Sequence, residues 1–276
     1  MRRSIKVNNN KYILAEACKN TFVIFDAIEL QTLSDDFLKM AHDRLIAENR
    51  DDAMILVDGR NKDENFYVRM VVLGVDGELG EFCGNGARAC AAYLFSNYKE
   101  FKNFYIVTPR GEHKLYKYEG GIYSVELPLV TFELNKKFIT KPELFENHGN
   151  LYSINLCGKN LTYAAAIEPH LVIQEYLNDD ELLLIGEKIN SMREIFPLGI
   201  NVNSCYVKKD GTLFVRTYER GVQRLTLSCG TGSSSCSAIY LGNKPGEVNI
   251  ETLGGPLEVK IKSSSFELKG PAILSD

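Results

Sequence analysis

The chain contains short runs rich in β-branched and aromatic residues, separated by polar segments. Such runs are typical of strands, because branched and aromatic side chains pack well on a pleated surface. The runs that predict strands are Thr21 to Ala27, Phe66 to Leu73, Phe104 to Thr108, Val202 to Val207 and Leu213 to Tyr218. They are spread over both halves of the chain, which predicts a sheet in each half.

Four segments predict helices. Ser34 is a good N-cap for a helix that runs to about Glu48 and carries an apolar stripe. A second amphipathic helix is predicted from Asn178 or Asp179 to about Ile189. The last two segments, 87–95 and 233–241, consist mostly of small and apolar residues, which suits helices buried inside a lobe.

Each of these two predicted helices lies within one copy of an internal repeat. The segment CGNGARACAAYLF begins at Cys83, and CGTGSSSCSAIYL begins at Cys229. A T-x-x-G motif follows each of them about two dozen residues later, at Thr108 and at Thr252. The repeat predicts an α/β (α+β) fold with two pseudo-symmetric lobes. We place the N-terminal lobe at residues 1–127, completed by 263–276, and the C-terminal lobe at 128–262.

Composition narrows the class of protein. The 276 residues are 45% hydrophobic and carry a net charge of −4, without a cluster of basic and aromatic residues, so nucleic acid is not expected as a partner. No apolar run approaches the roughly 20 residues that span a bilayer, and the basic N-terminus lacks the apolar stretch of a secretory signal. We therefore expect no membrane association. Seven cysteines without a C-x-x-C pair favour a reducing cytoplasm and no metal site.

Each C-G-x-G turn is expected at a helix N-terminus. Backbone N–H groups lack partners there, the helix dipole is positive, and glycine lets an anion approach closely. The same field lowers the pKa of a cysteine thiol. Two such turns facing each other would hold one carboxylate between a thiol and a thiolate. One sulfur would remove an α-proton while the other protonates the opposite face, which inverts the carbon.

The alternative interpretation is structural, because cysteine is often buried and glycine is common at helix ends. One motif alone is weak evidence for catalysis, whereas the matched pair favours it. Cys90 and Cys236 lie two turns into the helices and are interpreted as core residues. Cys18, Cys157 and Cys205 have no partner pattern and are also interpreted as structural.

With these motifs the sequence resembles the diaminopimelate epimerase family. The resemblance rests on FCGNGARAC, the pair Pro169-His170, FPLGINVN, YERGVQRLTLSCGTG and a closing KGPA, which follow one another along essentially the whole chain. It implies two similar lobes, each a mixed β-barrel-like sheet around a central helix, with the substrate between them and no cofactor. Proline racemase-like enzymes share the two-lobed organisation, but their C-G-H-G is absent. Isomerases with a single carboxylate base do not fit two cysteines.

The resemblance also implies site residues. Cys83 and Cys229 match the catalytic bases, and His170 and Glu219 match residues that flank the sulfurs and tune their ionisation. The matches to substrate-binding residues are Asn20 near the reacting centre, Gly84, Asn85, Gly230 and Thr231 at the reacting carboxylate, and Asn201 and Arg220 at the far end. Without the resemblance, His170 would be interpreted as a hydrogen-bonded, partly buried histidine and Glu219 as an ion-paired glutamate.

Departures from the family pattern concern substrate choice. The family's G-N-P-H is Ile167-Glu168-Pro169-His170 here, and Gly74 stands where an asparagine is expected. We expect Glu168 to repel a second carboxylate at the far end of diaminopimelate and Gly74 to leave room for a ring. The sequence therefore favours racemisation of one amino acid with a cationic or ring side chain, histidine first. If Glu168 instead pairs with Arg220, it would barely affect selectivity, and diaminopimelate epimerisation stays open.

Two other classes stay open as well. A non-catalytic amino acid-binding protein would have no need of two acid–base sulfurs, and a disulfide protein would require Cys83 and Cys229 to be joined. The expected partner is a small amino acid substrate, and a homodimer is predicted.

Overall fold

The computed structural model of the protein describes residues 12–275. The basic N-terminus that was considered as a targeting signal lies outside the described residues. The helices are α1 Asp35–Ala47, α2 Gly84–Asn97, α3 Asp179–Ser191 and α4 Gly230–Leu241. The strands are β1 Tyr12–Ala17, β2 Asn20–Ala27, β3 Asp52–Lys62, β4 Asn65–Gly74, β5 Leu79–Gly80, β6 Asn103–Thr108, β7 Gly111–Lys117, β8 Ile122–Pro128, β9 Glu146–His148, β10 Leu151–Leu156, β11 Lys159–Ala166, β12 Glu168–Ile173, β13 Asn201–Val207, β14 Leu213–Glu219, β15 Arg224–Thr226, β16 Gly246–Thr252, β17 Gly255–Ile261, β18 Ser265–Pro271 and β19 Ile273–Ser275.

Among the described residues, the first compact unit comprises 12–125 and 271–275. Strand β1 forms a hairpin with β2, and β2 continues through α1 to the parallel strand β3. The antiparallel strand β4 follows, and α2 connects β4 to the parallel strand β6. Strand β7 pairs with β6 and with β8, and β19 returns to pair with β1. The C-terminal strand is therefore part of the first unit.

The second unit comprises residues 126–270. Strand β12 is paired with β11 and continues through α3 to the parallel strand β13. The antiparallel strand β14 follows, and α4 connects it to the parallel strand β16. Strands β17 and β18 complete the series in antiparallel fashion. This is the order of helices and pairings found in the first unit, which confirms the predicted α+β class and the internal duplication.

Helices α2 and α4 each form the centre of their unit. Residues 84–94 of α2 and 230–239 of α4 are buried on every face. Strands β1, β2, β3, β6, β7 and β19 contact α2, and β11, β12, β13, β14, β16 and β17 contact α4. Small residues dominate both helices, which lets the surrounding backbone approach closely.

Helices α1 and α3 are amphipathic, as predicted, and cover one side of their sheets. Ser34 caps α1 by accepting a hydrogen bond from the N–H of Phe37. Asn178 and Glu181 form a capping box at the start of α3. Leu45 of α1 and Leu182 of α3 are buried in the hydrophobic cores of their units. These caps satisfy backbone donors that the helix itself leaves without partners.

The division differs from the sequence expectation at the C-terminal end. Residues 263–276 were expected to complete the first lobe, but 265–270 lie in β18, which pairs with β17 of the second unit. The return to the first unit begins at residue 271. Within residues 12–275, no helix is long and apolar enough to span a membrane.

Candidate active site

Each catalytic cysteine predicted from the repeat is the N-cap residue of a central helix. Helix α2 begins directly after Cys83 and α4 directly after Cys229, three residues earlier than the sequence predicted. The sulfur of Cys83 accepts the N–H of Gly86 at 3.3 Å, and that of Cys229 accepts the N–H of Gly232 at 3.4 Å. Both sulfurs therefore lie in the positive field of a helix N-terminus. Both side chains are partly exposed.

In the first unit, the turn after Cys83 is rigid. Gly84 and Asn85 are buried in the first turn of α2. The Oδ1 atom of Asn85 accepts a hydrogen bond of 2.6 Å from Nη2 of Arg88, which is wholly buried. This bond fixes the amide so that its nitrogen faces away from Arg88. Asn85 is thereby held in one orientation beside Cys83.

Asn20 begins β2 at the end of a strained hairpin turn. Cys18 and Lys19 form the two-residue turn between β1 and β2, with φ values of 52° and 62°. Positive φ at both positions is the pattern of a type I′ turn, where Asn and Gly are usual. The turn brings Cys18 to Arg88, whose Nη2 lies 3.5 Å from the sulfur. Asn20 therefore directly follows the turn that contacts Arg88, and Cys83 directly precedes the helix that carries Arg88.

In the second unit, a hydrogen-bonded chain leads from His170 to Cys229. Nδ2 of Asn203 donates to Nδ1 of His170 at 2.9 Å, so the neutral ring carries its proton on Nε2. Nε2 lies 3.0 Å from the hydroxyl of Thr231, and that hydroxyl lies 3.4 Å from the sulfur of Cys229. Thr231 accepts from the imidazole and can donate to the sulfur.

His170 is completely buried, unlike the partly buried histidine expected from the sequence alone. Burial and, to a lesser degree, the positive charge of Arg220 lower the pKa of His170 to about 3. The imidazole is therefore neutral at physiological pH. It fixes Thr231 and does not supply a charge to the sulfur.

Glu219 is the charged group next to Cys229. Its carboxylate interacts with the Cys229 thiol and accepts a hydrogen bond of 2.7 Å from the hydroxyl of Thr226. Burial raises the pKa of Glu219. Burial also raises the pKa of Cys229, and the negative charge of Glu219 raises it further. The resting form favoured at this position is a thiol, with Gly230 and Thr231 in the first helical turn.

Glu168, Asn201 and Arg220 lie together in the second unit. Nη2 of Arg220 lies 2.7 Å from Oε2 of Glu168, and its Nη1 donates to the carbonyl of Leu198 at 3.2 Å. Asn201 is nearly buried and joins two strands, with its Nδ2 donating to the carbonyl of Pro169 and its Oδ1 accepting the N–H of Arg220. The three side chains form one polar group.

This arrangement corrects the electrostatic argument about substrate choice. The sequence left two expectations for Glu168, an unpaired charge that repels a second carboxylate and a pair with Arg220, and the structure has the pair. The expected repulsion of a second substrate carboxylate is therefore largely cancelled. A Cβ at Gly74 would lie 2.7 Å from Oδ1 of Asp76 in the local turn. That Gly74 leaves room for a substrate ring stays a prediction.

Sequence reasoning missed five residues that support the predicted ones. Arg88 and Cys18 lie beside Asn85 in the first unit, and Asn203, Thr217 and Thr226 lie behind His170 and Glu219 in the second. Asn203 follows Asn201 by two residues on β13, so strand periodicity could have placed both on one face. Within the described residues, no group of side chains is arranged to hold a metal ion, and none of the seven cysteines forms a disulfide.

Comparison with known proteins agrees with this organisation. The profile of the family described as "Diaminopimelate epimerase" matches residues 168–274. The diaminopimelate epimerase of Methanocella arvoryzae is 30% identical over 267 residues, which cover 92% of this chain and 90% of that protein. The relationship extends over nearly the full length of both.

Solved structures share the fold at low sequence identity. A probable proline racemase from Agrobacterium radiobacter matches with a TM-score of 0.66 at 11% identity, covering 96% of this chain and 92% of that one. A PhzF-family phenazine biosynthesis protein from Enterococcus faecalis matches with a TM-score of 0.65 at 13% identity, covering 96% of each chain. At this identity the structures show the fold alone. The sequence relationship with the Methanocella arvoryzae protein shows that the chain is an isomerase and belongs to the diaminopimelate epimerase family.

Proposed function

We propose that the chain is an epimerase or racemase that inverts the α-carbon of an amino acid with Cys83 and Cys229 as acid and base. The observation that carries the proposal is the duplicated half-site: each cysteine caps a buried central helix and accepts the N–H three residues later. A protein that only binds an amino acid has no need of two reactive sulfurs in equivalent positions. The proposal requires both sulfurs to reach opposite faces of one α-carbon.

The steps follow from the local chemistry. Backbone N–H groups in the first turns of α2 and α4 would hold the reacting carboxylate and stabilise the charge that develops on it. One cysteine thiolate takes the α-proton, while the other cysteine, as a thiol, gives its proton to the opposite face. The charge on the protein is unchanged, and the two sulfurs exchange ionisation states. Asn85 and Thr231 lie in these turns and would contact the substrate.

Diaminopimelate is the first substrate to test, because relatives that are 27–30% identical over 92–99% of this chain bear that name. The ion pair between Glu168 and Arg220 removes the repulsion that argued against it. The same pair supports a second candidate, an amino acid such as histidine whose side chain lacks a carboxylate. A distal substrate carboxylate has to compete with Glu168 for Arg220, whereas a neutral or cationic side chain does not.

Proton exchange in D₂O tests the reaction and the substrate together. Each single stereoisomer of diaminopimelate and of histidine would be incubated with the protein and followed by ¹H NMR and chiral chromatography. The proposal expects the product isomer to carry deuterium at the α-carbon with one of the two amino acids. Absence of exchange with these and with a panel of other amino acids would instead identify a binding protein.

A further inference from the structure

Arg88 is a buried cation next to a predicted catalytic sulfur. It lies on α2 one turn after Gly84 and is completely inaccessible to solvent. Its guanidinium donates to the carbonyl of Gly84 at 3.3 Å, to Oδ1 of Asn85 at 2.6 Å and to the sulfur of Cys18 at 3.5 Å. Its Nε has no hydrogen-bond partner among the described residues. No described carboxylate forms an ion pair with it.

This placement is energetically unfavourable for a purely structural residue. Burying a charge without a counter-charge is costly, and the positive end of the α2 dipole adds repulsion. Charged groups in such surroundings are commonest at functional sites. Burial lowers the pKa of Arg88, and its interactions with the sulfurs of Cys18 and Cys83 oppose that shift. The sulfur of Cys18 accepts a hydrogen bond from the guanidinium, and Cys83 is the N-cap residue of the helix that carries Arg88.

The repeat provides an internal comparison. Ser234 occupies the position of Arg88 in the second copy, five residues after the cysteine. Its hydroxyl donates to the carbonyl of Gly230 at 2.8 Å, and Arg88 donates to the equivalent carbonyl of Gly84 at 3.3 Å. The two helices thus keep the same hydrogen bond and differ in charge. Cys229 has Glu219 beside it where Cys83 has Arg88 on the next turn.

We infer that Arg88 is a positioning residue that makes the two half-sites unequal in charge, so that Cys83 is the thiolate base and Cys229 the thiol acid of the resting protein. Arg88 also fixes Asn85 for contact with the substrate. The inference rests on the proposed function for its meaning in turnover. In one direction of the inversion, the Cys83 thiolate takes the α-proton and the Cys229 thiol gives its proton to the opposite face. The reverse direction begins with Cys83 as the thiol and Cys229 as the thiolate.

The groups around Cys83 are consistent with this assignment. Beside Arg88, the ionisable side chains near the start of α2 include Cys18 on the β1–β2 turn, Cys90 two turns into α2, and His113 on β7, whose ring packs against Phe82. Glu81, two residues before Cys83, is ion-paired with Arg110. Burial raises the pKa of Cys90, and charge on Cys83 raises it further, so Cys90 remains a thiol. Arg88 is the wholly buried cation of this group.

Alkylation without substrate tests the inference independently of turnover. Iodoacetamide is neutral and reacts with the thiolate, so peptide-resolved mass spectrometry across pH gives a midpoint for Cys83 and another for Cys229 in the same sample. In the wild-type protein the midpoint of Cys83 should be lower than that of Cys229 by at least one pH unit. Equal or reversed midpoints would overturn the inference even if the protein is an active epimerase.

Variants then test whether Arg88 is the cause. Arg88→Met removes the charge at similar length and should raise the Cys83 midpoint by about one unit or more, leaving Cys229 unchanged. Arg88→Lys should restore most of the shift. Ser234→Ala is the matched control, since it removes the equivalent hydrogen bond without changing charge, and should leave both midpoints in place. An unchanged Cys83 midpoint in folded Arg88→Met contradicts the inference. If that variant does not fold, the wild-type order of midpoints decides.

Discussion

The guanidinium of Arg220 lies against the carboxylate of Glu168, with Nη2 2.7 Å from Oε2, while its plane covers the ring of Phe138 at 4.9 Å. Glu168 replaces the asparagine that the family pattern has before Pro-His. The replacement thus supplies a partner for an arginine on a different strand. The pair, rather than the single charge of Glu168, is the feature whose effect on substrate preference has to be tested.

Glu168→Gln should change substrate preference. The substitution releases Arg220 from its partner and makes it available to a distal substrate carboxylate. The ratio of kcat/KM for diaminopimelate to that for histidine should rise, by about tenfold if one charge-assisted hydrogen bond worth about 1.4 kcal/mol is gained. Glu175→Gln, which removes an ion pair with Lys159 in the same unit, is the control and should leave the ratio unchanged. A falling ratio in Glu168→Gln would argue against this role of Arg220.

Thr231→Val should impair catalysis more than folding. Valine keeps the branched shape but removes the hydroxyl between His170 and Cys229. The buried N–H of His170 then lacks its acceptor, which costs about 1–3 kcal/mol, and the Cys229 thiolate loses a donor. We expect kcat to fall at least tenfold. Thr231→Ser keeps the hydroxyl and should recover most of the activity, and failure of this rescue would assign Thr231 a packing role.

The two glycines that donate to the sulfurs should differ in their tolerance of alanine. A Cβ at Gly86 would clash with the sulfur of Met54, near the end of a flexible side chain. A Cβ at Gly232 would meet Oδ1 of Asn203 at 2.5 Å, and Asn203 is fixed by Thr217 and His170. Gly232→Ala should therefore lower the free energy of unfolding by about 1–3 kcal/mol more than Gly86→Ala does. Chemical denaturation measures the difference, and equal losses would contradict it.

His170 should make stability depend on pH. Its pKa is about 3 in the native protein and about 6.5 when unfolded, so between these values the unfolded chain binds a proton that the native chain does not. The free energy of unfolding therefore falls as pH falls from about 6.5 to about 3. This residue contributes up to about 1.4 kcal/mol per pH unit.

The difference between wild type and His170→Asn isolates this effect from other titrating groups. The variant should lose the extra slope within that window. His148→Asn, at an exposed histidine, is the control and should keep it. Identical slopes in wild type and His170→Asn would show that His170 is accessible to protons in the folded state.

Much of the fold could be predicted from the sequence, because local patterns determined it. The runs at 21–27 and 213–218 match β2 and β14, and Ser34 and Asn178 cap the predicted helices. Short strands were missed. Strand β5 has two residues and β15 has three, which is too short for a period to be detected.

The placement of the two cysteines could be predicted from the repeat, whereas the residues that tertiary contacts bring to them could not. The motifs at Cys83 and Cys229 share spacing with each other, so the sequence alone places both at helix starts. Arg88 lies in a segment interpreted as small and apolar, and its burial depends on the β1–β2 turn that brings Cys18 to it. The pairing of Glu168 with Arg220 depends on how β12, β13 and β14 align, which the sequence does not reveal.

The most direct test of the two-cysteine account is the rate of stereochemical inversion in Cys83→Ser and Cys229→Ser, measured on the substrate found by deuterium exchange. Serine keeps the cap hydrogen bond but is too weak an acid to take part in proton transfer at neutral pH. Each variant should fold and lose at least a hundredfold in kcat, whereas Cys157→Ser, at a cysteine outside both motifs, should retain wild-type activity. Near wild-type inversion by either the Cys83 or the Cys229 variant would contradict the account.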